Sequence, residues 1–179
     1  DHVTNTSRMN DLEAEAASFL ESASEPFFLW VHYMDAHTPY VPAPRYLRAV
    51  SGGRVETHRM LRAHVRTGLG WDVDERTLED LRSLYAATVR QVDDSVGRLR
   101  ESLAAAGVAD ETAVVVAGDH GEEFMDHGHL AHYPKLYDEL IHVPLVADAP
   151  GAASRAVGDA VGLGSLPPTV ADLLDVRGD

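Results

Sequence analysis

The chain has 179 residues, no cysteine and a formal net charge of −14. Its length suits one domain of ~100–200 residues, and 45% hydrophobic residues supply a core. The absent cysteines exclude a disulfide framework, a thiolate metal site and a cysteine nucleophile within these residues, and the acidic balance argues against nucleic-acid backbones and anionic membrane surfaces as partners.

Fourteen of the fifteen basic residues are arginine, Lys135 being the single lysine. An acid-rich, lysine-poor surface suits a halophilic protein, whose self-repulsion is screened by salt; a GC-rich genome gives the same arginine bias. No apolar run approaches the ~18 residues of a membrane span. Asp1–Thr4 show no targeting signal, which leads to the expectation of a soluble, cytoplasmic chain.

In chain order, residues 8–22 form the first expected helix. Met9, Leu12, Ala16, Phe19 and Leu20 recur at helical spacing, and Pro26 ends it. Phe27–Val31 is short, aromatic and β-branched, and reads as a buried strand opening into the polar run His32–Tyr40. Residues 46–75 are poor in pattern and are expected as a loop or lid with a short helix near 57–66. From Arg76 to Ala106, Leu78, Leu81, Tyr85, Val89, Val92, Val96, Leu99 and Leu103 step by three or four, a long amphipathic helix stopped by Gly107. Asp93 and Asp94 fall within it and read as helix face.

Thr112–Ala117 reads as a second buried strand, its unbroken apolar character fitting the middle of a mostly parallel sheet. His142–Val146 is a third strand candidate with Pro144 as an anomaly, and Pro167–Leu174 a terminal helix. This order of strand, long helix, strand, loop and strand is α/β punctuation, and open sheets place ligands beyond their strand ends.

Two strand ends carry titratable clusters. Gly118-Asp119-His120-Gly121-Glu122-Glu123 follows the second strand, and Asp126, His127, His129, His132, Lys135, Asp138 and His142 come soon after. Five of the ten histidines lie between 120 and 142, which concentrates proton-transfer and ligand capacity in one region. Asp119 beside His120 offers one oxygen and one nitrogen ligand. Asp35-x-His37 at the mouth of the first strand is the other cluster. A solvated His-rich loop and structurally hydrogen-bonded histidines are the plain alternatives.

Phe27–Tyr40 resembles the sulfatase segment in which an apolar strand runs into D-x-H-x-P-Y. Ala113–Glu123 resembles that family's strand ending in G-D-H-G-E, and Asp126-His127-Gly128 its E-H-G. Leu136–Leu145 is similar to its L-Y-D-E-x-x-x-V-P-L block, Tyr85–Leu103 to the preceding helix, and Leu166–Leu174 to a D-x-x-P-T-x-x-x-L-L element. The matches run in order over nearly the whole chain. The resemblance implies an alkaline-phosphatase-like α/β fold, a three-layer sandwich with a mostly parallel central sheet, incomplete here, residues 1–179 being the C-terminal portion of one sulfatase-like domain.

It also implies hydrolysis of sulfate esters of small molecules or carbohydrates with one divalent metal ion and a formylglycine nucleophile. By resemblance, Asp119 and His120 match metal ligands. His37 matches the histidine that binds ester oxygens or protonates the leaving group, and Lys135 or His132 the cation that clamps sulfate. The same resemblance implies that His127 and Asp35 lie at the edge of the substrate site. Ca²⁺ is the family's expected ion, while the imidazole of His120 favours Mn²⁺ or Zn²⁺.

The sequence departs from the family in two places. It has neither the early aspartate pair nor a C/S-x-P-x-R nucleophile motif, since Ser165-Leu166-Pro167-Pro168-Thr169 ends in Thr. The formylglycine is therefore expected outside this chain, and the isolated residues are expected to be inactive. Two alternatives remain: a phosphodiester or phosphonate monoester hydrolase of the same superfamily, and a non-catalytic module that keeps the fold.

Overall fold

A computed structural model describes residues 9–52, 55 and 59–175. Arg8 of the first expected helix, and residues 53, 54 and 56–58 of the 46–75 stretch, lie outside the described residues. Helix α1 runs Met9–Ser22, α2 Pro44–Ser51, α3 Arg59–Gly68 and α4 Glu75–Ala105. Strand β1 is Val114–Ala117, β2 Glu123–Phe124 and β3 Leu130–Ala131. They are followed by α5 Asp138–Ile141, β4 Leu145–Asp148 and α6 Leu166–Leu173.

Helix α4 is the spine. Asp74 caps it, its carboxylate accepting from the Thr77 backbone N–H at 2.9 Å, and satisfies a donor left open by the first turn. The periodic face buries Leu78, Leu81 and Leu103 as the spacing predicts, with Leu84 beside them, while Val89 of the same expected stripe is 44% exposed. Asp93 and Asp94 lie on its outer side, paired with Arg90 at 3.6 and 3.5 Å. Helix α1 is tied to α4 by a bidentate pair, Arg98 donating to both oxygens of Glu13 at 2.8 and 2.7 Å.

That guanidinium holds the Glu13 carboxyl below the usual carboxylate range. Because the folded pKa lies below the unfolded one, the contribution is complete above the unfolded value and is lost as pH falls through the folded one. Glu13→Gln should lower stability by about 1 kcal/mol at neutral pH, and the gap to wild type should close in acid. Denaturant midpoints across that range are the check; a gap that widens in acid would refute the pairing.

The stretch expected as a loop with one short helix contains two helices, α2 and α3. Pro44 stands at the first turn of α2, where its missing N–H costs nothing, and Gly52 closes the helix at φ 68°. The buried Tyr46 fixes α2 to the body, and Ala43 N–H donates to Gln91 of α4 at 2.8 Å. Ala63 of α3 joins Leu78, Leu81 and Leu130 in one cluster, with Val73, Phe124 and Met125 packed against it.

The sheet differs from expectation. Among the described residues both ladders are antiparallel: β1 pairs with β4 from Val114↔Asp148 to Ala117↔Leu145, and β2 with β3. A mostly parallel sheet is not seen. Chain that leaves β1, crosses the site loops and re-enters through α5 comes back in the opposite direction. Val115, Val116 and Val146 are exposed rather than buried. Phe27–Val31 forms no ladder among the described residues, and Trp30 is 76% exposed. Pro144 lies just before β4, so the third strand starts after the proline and the anomaly disappears.

Candidate functional site

Two close approaches bring the loop after β1 against α5 and the turn between α5 and β4. The Gly118 N–H donates to the Pro144 carbonyl at 3.2 Å, and the Gly121 N–H to the Leu140 carbonyl at 2.8 Å. A Cβ on Gly121 would stand 2.0 Å from the Glu139 carbonyl oxygen, so only glycine allows this contact.

The loop then presents Asp119, whose side chain is 77% exposed, and His120. His120 Nε2 and Asp119 Oδ1 are 3.9 Å apart. Bonds of about 2.0–2.4 Å from each would meet at one ion. His120 Nδ1 lies 2.9 Å from the Gly121 carbonyl oxygen, which can only accept; the Nδ1–H therefore donates and Nε2 keeps the lone pair a metal ligand needs.

The other imidazoles gather around it. His132 is 4.0 Å from His120 between ring centroids, and His37 is 5.0 Å from His132. His37 Nδ1 donates to the Thr38 carbonyl at 2.6 Å and His132 Nδ1 to Glu122 Oε1 at 3.0 Å. All three rings are thus held through Nδ1 by an acceptor and leave Nε2 available.

An open hollow of about 500 Å³ is lined by Asp119, His120, His132 and Lys135 on its polar side and by Tyr133 and Leu163 among its apolar groups. Lys135 Nζ also lies 5.4 Å over the Tyr137 ring. Four of the residues singled out in the sequence therefore share one cavity, and His37 adjoins it through His132.

The remaining two are not brought to that cavity's lining. His127 stacks on Tyr137 at 3.7 Å and 9°, with Glu139 Oε2 3.7 Å from Nδ1. Asp35 accepts from Gln91 of α4 at 3.1 Å, and burial pushes its carboxyl up. Asp35 therefore ties the 32–40 segment to α4.

Two glutamates of the Gly118–Glu123 cluster hold contacts that the sequence does not signal. Glu123 is fully buried and accepts from the His127 and His129 N–H groups at 2.7 and 3.2 Å, folding the 125–129 turn. Glu122 joins His132 to Tyr40. Their only sequence trace is the carboxylate pair that follows Gly121, which reads as a solvated loop.

The donor set for a metal is partial. Among the described residues no group of three or more His, Asp or Glu is placed to hold an ion. Asp119 and His120 fit as two ligands of mixed type, short of the ~6–8 oxygens typical of Ca²⁺.

The family model for sulfatases matches residues 5–176. The chain belongs to the sulfatase family. This sulfatase chain is 27% identical over 156 residues to a multifunctional alkaline phosphatase superfamily protein, PehA, of Trinickia caryophylli, covering 74% of this chain and 30% of that protein. It is 26% identical over 179 residues to the uncharacterized sulfatase YidJ of Escherichia coli strain K12, covering 90% of this chain and 35% of that one. Human iduronate 2-sulfatase is 37% identical over 71 residues, covering 40% of this chain and 13% of that enzyme. The sulfatase chain thus spans about a third of the length of the first two relatives. Its family carries an alkaline-phosphatase-like α/β fold, of which the described residues show helices and small antiparallel ladders. No helix among the described residues is long and apolar enough to cross a membrane.

Proposed function

We propose that the cavity at Asp119, His120, His132 and Lys135 is part of a site that hydrolyses sulfate esters of small molecules or carbohydrates. The observation that carries the reading is the convergence of three imidazoles, held by Nδ1, on an exposed carboxylate and a lysine beside one open hollow.

Sulfate-ester cleavage spreads negative charge over the sulfuryl oxygens and builds it on the leaving oxygen. Lys135 offers a point charge to the sulfuryl oxygens. His132 lines the hollow beside it and, as the imidazolium with Nδ1–H kept on Glu122, offers a second donor through Nε2. The Nε2 of His37 is the group to protonate the departing alkoxide, since imidazole exchanges protons near neutral pH.

Asp119 and His120 would hold one divalent cation, completed by ligands outside these residues. When bound, the ion would neutralise charge on the ester oxygens. Ca²⁺ is the family's usual ion, and the nitrogen of His120 supports Mn²⁺ or Zn²⁺. No residue here occupies a C/S-x-P-x-R motif, so the reading assigns the formylglycine nucleophile to chain outside these 179 residues. Residues 1–179 then form the C-terminal portion of one sulfatase-like domain.

A phosphodiester or phosphonate ester is the second reading, supported by the same imidazole ligand at 120. The test is release of 4-nitrophenol from its sulfate, phosphonate and phosphodiester derivatives by the protein at its full natural length with each cation added. Sulfate preference, with His37→Ala slowed by about 10²–10³, is the expected result. No turnover of any ester, or an unslowed His37→Ala, would sink the assignment.

A further inference from the structure

Behind the imidazoles lies a buried acid that the proposed reaction does not use. The Glu122 side chain is 4% exposed. Its Oε1 accepts the His132 Nδ1–H at 3.0 Å and its Oε2 the Tyr40 hydroxyl at 2.5 Å. Tyr40 is buried against Tyr85 and Phe124, with ring centroids 5.5 and 6.3 Å away. Burial, then the adjacent carboxylate, pushes the Tyr40 hydroxyl far above its ordinary range, so it remains a donor.

A buried carboxylate carries a desolvation cost that a neutral side chain avoids. A neutral glutamine would brace the same two neighbours at lower cost. The acid differs in one respect: it only accepts, and so it compels His132 to carry its proton on Nδ1. With Tyr40 occupying the far oxygen, His132 cannot turn that ring nitrogen elsewhere without stranding a charge.

We propose that Glu122 is a positioning residue of this site, fixing the orientation and tautomer of His132 so that Nε2 meets the bound ester, with Tyr40 holding Glu122 and tying it to the segment that bears His37. The inference rests on the hydrolase reading for its catalytic meaning. Its structural content stands apart from it: one carboxylate couples a residue 82 positions earlier in the chain to one 10 positions later.

The experiment is nitrogen NMR of the protein at its full natural length, labelled at histidine, with His132 assigned by its loss in His132→Asn. The wild-type ring should carry its proton on Nδ1. In Glu122→Gln, Tyr40 occupies the amide oxygen, the NH₂ faces His132, and the proton should move to Nε2. The same variant should lose about 10–100-fold in kcat while KM moves little, and it should lose nothing further in a His132→Asn background.

A wild-type His132 protonated on Nε2 alone overturns the proposal without any variant. So does an unchanged tautomer in Glu122→Gln, or a loss that persists in full without His132, which marks a merely structural acid. A wild-type protein that hydrolyses no ester overturns the hydrolase reading alone, and the nitrogen signals still decide the role of Glu122.

Discussion

Asp119→Ala is expected to erase the stabilisation that a divalent cation gives the protein at its full natural length. A ligand at about 100 times its Kd stabilises a folded state by about 2.7 kcal/mol. With one carboxylate gone, His120 alone would remain of the two described donors, and that gain should vanish while the cation-free melting temperature changes little. The reason for the small baseline effect is exposure: Asp119 is open to solvent and its described hydrogen bond is to the next N–H, His120, at 3.0 Å. Thermal melts with and without Ca²⁺, Mn²⁺ or Zn²⁺ are the check. A cation-dependent rise that survives Asp119→Ala would show that the ion is held elsewhere.

Gly121→Ala should be worse tolerated than any change on the cavity's rim. The added Cβ would sit 2.0 Å from the Glu139 carbonyl oxygen and 3.3 Å from Leu140 Cα, both backbone atoms that cannot swing aside. Either the 118–122 loop or α5 must withdraw. Overpacking of this kind costs about 3 kcal/mol. The same withdrawal separates His120 and Asp119 from Lys135, and a displacement near 1 Å costs about 10² in rate. Melting temperature and kcat should therefore fall together. A variant that melts and turns over like wild type would mean the loop and α5 are not in contact in solution.

The helices of this chain were legible because their cause is local. The three-and-four step from Leu78 to Leu103 needs only a buried side, and α4 follows it within a residue at each end. Helix α2 was hidden by Pro44, a residue that terminates helices when inside them and starts them at the first turn. Strand direction was not legible. Val114–Val116 is apolar throughout, which reports how much neighbouring surface a strand expects and says nothing of which way its partner runs.

At the site, the titratable residues announced themselves by type and spacing. The acids that hold them did not: Glu122 and Glu123 are consecutive and alike in the sequence, yet one serves two side chains and the other two backbone amides. That assignment depends on contacts between loops separated in the chain. The local pattern of residues does not encode them.

Lys135 gives the cavity an address for chemistry. These 179 residues offer no other primary side-chain amine, and this one faces the hollow beside Asp119 and His132. An aldehyde or activated-ester reagent of modest size would therefore tag this region at one side chain. A fluorophore attached there would report the arrival of an anion from the wall of the compartment it enters.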